Sequence, residues 1–188
     1  MITISKETKL LLLIGTIVVN LSYAMTSPMI HVYFVKLINS NILATANILT
    51  TSLAAIVNAT IQSNKIKDFY RHHFLYIIII DVICFGLISF ESIQIPELRF
   101  LGLAILNAVS NTLWFTIISD AINHRIEGDD LTKWNSLQKT VNLTASLIGG
   151  LLAITLSDLN IEFCILIQCI ANLFIGIMDW TAYKRIRY

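Results

Sequence analysis

The sequence predicts an all-α integral membrane protein of six transmembrane helices, with both termini in the cytoplasm. Three observations carry that expectation. Of 188 residues, 56% are hydrophobic and only 13% charged, a balance foreign to a soluble domain of this size. A bilayer core about 30 Å thick needs roughly 20 apolar residues of helix, and runs of that kind fall at 9–35, 41–63, 74–92, 99–123, 138–157 and 161–182. Eleven of the thirteen Lys and Arg residues lie on one side of these spans, and the positive-inside rule makes that side cytoplasmic.

The eleven are Lys6, Lys9, Lys65, Lys67, Arg71, Arg125, Lys133, Lys139, Lys184, Arg185 and Arg187; only Lys36 and Arg99 fall outside. The outer turns "KLINSN", "SIQIPELR" and "SDLN" are short, and no Gly- or Ser-rich linker divides the chain. Residues 1–188 therefore read as a single six-helix domain whose working parts lie in the bundle or the cytoplasmic loops. The apolar run after "ITISKETK" is too long for a signal-peptide core and has no clear cleavage site, so the first span is expected to be retained. A net charge of +1 carries no message about nucleic acid, because the distribution of charge is what counts in a membrane protein. No nucleic-acid partner is expected. The many Ile and Asn residues suggest an AT-rich coding sequence, and with it a bacterial plasma (inner) membrane.

In the first span Asn20, Tyr23, Ser27 and His31 follow one another at helical steps and share a face. Pro28 is expected to bend that helix. Polar groups at membrane depth are costly unless paired or wetted, so such a stripe faces either an aqueous cavity or a neighbouring helix. Both readings stay open. The second span, "ANILTTSLAAIVNAT", is rich in small residues.

The third span, "FLYIIIIDVICFGLISF", is nearly all hydrocarbon except for Asp81, read as the only acid deep in a span. Asp81 lies about 12 Å from the cytoplasmic end, by helical rise. A carboxylate there without a cation takes a proton or finds a partner. It is a proton-coupling candidate, the alternative being a neutral acid hydrogen-bonded to another helix. The fourth span carries a second polar stripe, Asn107, Ser110, Asn111 and Trp114, and these residues are assigned to the same cavity as the first. Asp120, on the opposite side of that helix, reads as a helix-end group.

Glu127, Asp129 and Asp130 form an acidic connector that helps start the next helix; no metal is assigned to it. The fifth span, "TASLIGGLLA", spaces Ala145, Gly149 and Ala153 by four, with Ser146 and Gly150 alongside. This spacing lets helix backbones approach closely. It serves either internal packing or a face for a second bundle. Cys84, Cys164 and Cys169 sit in apolar runs without metal-type spacing and read as small hydrophobes. His73 and Cys84 are about 16 Å apart along a helix, too far for a thiolate–imidazole pair. No enzyme and no cofactor is expected.

The order of polar, small-residue and apolar helices resembles one half of a major facilitator superfamily transporter. The loop "NKIKDFYRHH" is similar to that family's G-x-x-x-D-x-x-G-R-[RK] loop, with Asp68 at the acidic position; Asn64, Arg71, His72 and His73 replace its other conserved residues. The stretch "ISDAINHRIEGDDLTKWNSLQKTVNLTASLIGGLLA" resembles the corresponding region in the N-terminal half of macrolide-efflux-type exporters. "SLIGGLLA" keeps the glycines of the family's antiporter motif and lacks its proline.

The resemblance implies a 3+3 inverted-repeat bundle in which the first and fourth helices line the cavity, the second and fifth meet another half, and the third and sixth lie outside. It also implies a cytoplasmic gating role for Asp68. Ala145, Gly149, Gly150 and Ala153 become a dimer face, and the expected partners are the bilayer, a small neutral or amphipathic solute, and a second half. That half is either another copy or a separate chain. Two other functions remain open: a substrate-binding membrane subunit of a multi-component transporter, and an accessory or immunity protein without transport activity.

Overall fold

A computed structural model describes residues 4–61, 94–102, 128–155 and 160–187, together with positions 79, 83, 86, 104–105, 118–119, 122–123 and 125–126. The described residues form helices and short turns, with no strand among them. Four helices are long: α1 (Lys6–Leu37), α2 (Ser40–Ile61), α3 (Gly128–Thr155) and α4 (Ile161–Arg187). Three stretches, Lys6–Leu37, Gly128–Thr155 and Ile161–Ile186, are long and apolar enough to cross a membrane. This is the architecture of a membrane protein by length and composition. Asp68, Asp81, Asn107, Ser110, Asn111, Trp114 and Asp120 lie outside the described residues.

Local chemistry sets the helix ends. Ser5 caps α1 by accepting the Thr8 amide at 3.2 Å, and Glu7 adds an acid to the first turn, where the helix dipole favours negative charge. The turns before α2 and α4 use asparagine in the same way. Asn39 Oδ1 accepts the Asn41 amide at 2.9 Å before α2, and Asn160 Oδ1 accepts the Glu162 amide at 3.1 Å before α4. The third long helix begins ten residues before the predicted fifth span: Gly128, at φ +60°, starts it, and Asp129 and Asp130 occupy its first turn. The extension follows from "GDDLTKWNSLQK", which contains no helix breaker after its acidic start. On this stretch Trp134 is buried while its neighbours Lys133 and Asn135 are exposed. The extension thus packs by one face, through Trp134 in its second turn.

α1 is the centre of the described packing, in contact with both α3 and α4. Its buried residues Thr8, Leu12, Gly15, Val19, Ser22 and Thr26 recur at alternating steps of four and three, the seam of two helices crossing at a shallow angle. A matching seam on α4 buries Ile165, Gln168, Asn172, Ile175, Asp179, Ala182 and Ile186, while Phe163, Leu166, Ile170, Leu173 and Ile177 point outward. The sixth span was expected to lie outside the bundle. In the structure a larger share of it is buried than of α1 or α3, and Gln168, Asn172 and Asp179 lie on its buried face.

Two apolar clusters mark the ends of the bundle. Ile4, Leu12, Ile122, Ile126, Trp134, Tyr183 and Ile186 come together at one end, bringing the start of α1, the start of α3 and the close of α4 side by side. There Arg185 pairs with Glu7 at 3.1 Å, and the Lys184 ammonium sits 3.8 Å from the centre of the Trp180 ring. Phe34, Ile38, Leu43, Ile165 and Cys169 form the cluster at the opposite end. Both chain ends therefore share one end of the bundle. The described cations gather at that end, apart from Lys36 and Arg99.

Candidate functional site

Between α1 and its neighbours the seam opens into a cavity of about 700 Å³, a volume in the range of small-molecule sites. Asn20, Tyr23, Ser27 and His31 all line it. The structure thus brings the whole first-span stripe onto one surface. Ser146 of α3, Gln168 of α4, and Phe100 and Ala104 of the predicted fourth span complete the wall together with Phe34. Pro28 and His31 are exposed at its rim, so the cavity opens at the surface of the described bundle.

Hydrogen bonds fix one wall. Gln168 Nε2 donates to Thr26 Oγ1 at 2.8 Å and lies 3.2 Å from Ser27 Oγ, while Thr26 Oγ1 donates to the Ser22 carbonyl at 2.7 Å. One turn further along, Asn172 Nδ2 donates to Tyr23 Oη at 3.1 Å. Each bond supplies a partner to a group that lipid could not satisfy, and each contributes on the order of 0.6 kcal/mol by comparison with other membrane helices. Their joint effect is to hold Tyr23 and Ser27 in fixed positions beside the cavity. At the end opposite the termini Phe34, 1% exposed, packs against Tyr33 and Phe100 with ring centroids 5.3 Å apart in each case. The cavity therefore offers neutral hydrogen-bonding groups along one side and an aromatic floor.

The opposite wall depends on a missing side chain. A Cβ on Gly149 would lie 2.5 Å from the Leu21 carbonyl oxygen and 2.8 Å from the Ala24 Cβ. Ala145 is likewise buried. Of the two readings of this spacing, a face for a second bundle or internal packing, the second describes Gly149, which packs against α1 of the same chain. Gly150 has nothing within 4 Å of its would-be Cβ. With Ala153 it lines a separate groove beside Pro28, Tyr33 and Lys36.

Sequence reasoning missed three polar residues of α4: Gln168, Asn172 and Asp179. Their signal was present in their spacing of four and seven, which places them on one helical face, but the strong average hydropathy of this span concealed it. Asp179 is a further acid inside a predicted span, three residues before the end of 161–182. It is 8% exposed and, five residues before Lys184, about 7.5 Å along the helix from the charged end. Gly15 makes room beside it, with a would-be Cβ 3.2 Å from Ile175 Cγ1 and 3.8 Å from Asp179 Oδ1. Among the described residues no group of three His, Cys, Asp or Glu side chains is placed to hold a metal ion.

Comparison with protein-family models, curated proteins and solved structures gives no match. The resemblance to a transporter half thus rests on the residues quoted for it.

Proposed function

We propose that this chain forms a six-helix half of a membrane transporter of the major facilitator type, whose solute pathway is completed by a second half supplied by another copy or another chain. The observation that carries this reading is the cavity itself. Asn20, Tyr23, Ser27 and His31 of α1 share it with Phe100 and Ala104 of the fourth span, and in this architecture the first and fourth helices are the ones that line the path. A stripe of polar groups facing an opening of this size can replace water around a solute as it passes through hydrocarbon. The described lining residues carry hydroxyl, amide and imidazole groups with aromatic rings, and among them there is no carboxylate or ammonium. That chemistry suits a small neutral or amphipathic compound. Asp68 is proposed to act at the cytoplasmic gate, by resemblance to the family's loop, and Asp81 in proton coupling, by its depth in the third predicted span.

The test is transport by the full chain. Its expression should change the cellular accumulation of neutral or amphipathic fluorescent compounds, and the protein should recover a second half, its own or another, when extracted in mild detergent. Ser27→Leu, which makes the middle of the cavity apolar, should abolish the change in accumulation. Ile170→Phe, on the outward face of α4, should preserve it. A chain that stayed monomeric at every concentration, recovered no partner and moved none of the compounds would overturn the proposal.

A further inference from the structure

A second cavity, about 290 Å³ in volume, lies closer to the end where the termini meet. Thr16 and Asn20 of α1, Asn142 and Lys139 of α3, and Asp179 of α4 contribute polar groups to its wall. Asp179 is more than nine-tenths buried, and no hydrogen bond or ion pair to its carboxylate occurs among the described residues. Lys139 lines the same cavity without bridging to it. A carboxyl group held in this way inside a membrane helix takes a proton or binds a compensating cation.

The neighbouring hydrogen bonds indicate what kind. Thr16 Oγ1 donates its proton to the Leu12 carbonyl at 2.8 Å, and Asn20 Nδ2 donates to the Thr16 carbonyl at 2.8 Å. Both side chains therefore have oxygen lone pairs to offer, Thr16 through Oγ1 and Asn20 through Oδ1. Asn142 Oδ1 accepts from Ser146 Oγ at a long 3.4 Å and retains a second lone pair. Lys139 is exposed, so solvent can screen its ammonium. The one buried negative charge with neutral oxygens around it fits a hard monovalent cation better than a divalent one, which would leave a net charge buried in the bilayer.

We infer that this cavity is a sodium-binding site built on Asp179, with Thr16 and Asn20 as oxygen donors and the Lys139 ammonium as the internal cation that competes for it. The site is independent of the transport proposal, because binding can be read on protein that moves nothing. Asn20 lies on both cavities, so an ion at Asp179 would touch a residue that also faces the larger opening.

The experiment is thermal unfolding of the purified full chain in detergent, followed by intrinsic fluorescence. Sodium chloride is raised from about 1 to about 300 mM while N-methylglucamine chloride keeps the ionic strength constant. Saturable stabilisation by sodium is expected, with an upward shift of roughly 5 °C at a large excess over Kd. Asp179→Asn should abolish the shift. Thr16→Val, which keeps the shape and removes the hydroxyl oxygen, should weaken the apparent affinity about tenfold; it decides the question should the Asp179 variant fail to fold. Lys139→Gln should tighten it. Absence of a sodium-specific shift, persistence of the shift in Asp179→Asn, or stabilisation by acid alone would overturn the inference, the last by assigning Asp179 a proton instead.

Discussion

α1 meets two helices at nearly the same depth and is held by each in a different way. Against α3 the contact is made by removing atoms: Gly149 and Ala145 let the backbone around Leu21 and Ala24 come close. Against α4 it is made by adding polar ones, Gln168 to Thr26 and Ser27 and Asn172 to Tyr23. In hydrocarbon there is little hydrophobic force between helices, so close approach and hydrogen bonds are the two means available. The difference explains where the cavity lies. Polar side chains on α1 that α4 fixes but does not cover are left facing the opening between the two contacts.

The largest effect should come from breaking the close contact. In Gly149→Ala the new Cβ meets backbone rather than a flexible side chain, so α1 or α3 must shift, with an expected loss of about 2 kcal/mol or more. Gly150→Ala, one residue on, meets nothing within 4 Å and should be neutral or stabilising by up to about 1 kcal/mol through helix propensity. Unfolding of the two variants in detergent separates them directly. If Gly150→Ala were the damaging one, the face of α3 that meets α1 would be misassigned.

The polar contact should be softer. Gln168→Leu removes the donors to Thr26 and Ser27 and is expected to cost about 1 kcal/mol. Tyr23→Phe removes one acceptor from Asn172 and should cost about 0.6 kcal/mol. A double-mutant cycle between Tyr23→Phe and Asn172→Leu should recover that coupling, whereas additive effects would show that the bond does no structural work. The smallest effect belongs to the Glu7–Arg185 pair, whose side chains are 83% and 46% exposed. Glu7→Gln should change stability by no more than a few tenths of a kcal/mol at low salt, and by less as salt is raised.

The sequence made α1 readable because its polar residues are numerous enough to show their spacing against the apolar background. Asn39 and Asn160 were equally legible as turn residues, since a short outer turn between two spans leaves few other groups to cap the next helix. The face of α4 was not. Gln168, Asn172 and Asp179 are diluted among isoleucine, leucine and phenylalanine, and an averaged hydropathy erases a pattern that lives in direction rather than amount. Nor can a small-residue stripe name its partner. Spacing at Ala145 and Gly149 announces a close helix contact, but only the three-dimensional arrangement shows that α1 makes it.

The central claim is that the α1 stripe faces water rather than lipid or packed protein, and thiol accessibility in the intact membrane tests it most directly. Once the three native cysteines are replaced, Ser27→Cys and His31→Cys should react readily with a charged, membrane-impermeant maleimide, because only a wetted thiol ionises and meets the reagent. Thr26→Cys, in the seam with Gln168, and Ile17→Cys, on the lipid-exposed side of α1, should react slowly. Equal, slow reaction at all four positions would contradict the account and leave the stripe as packing alone.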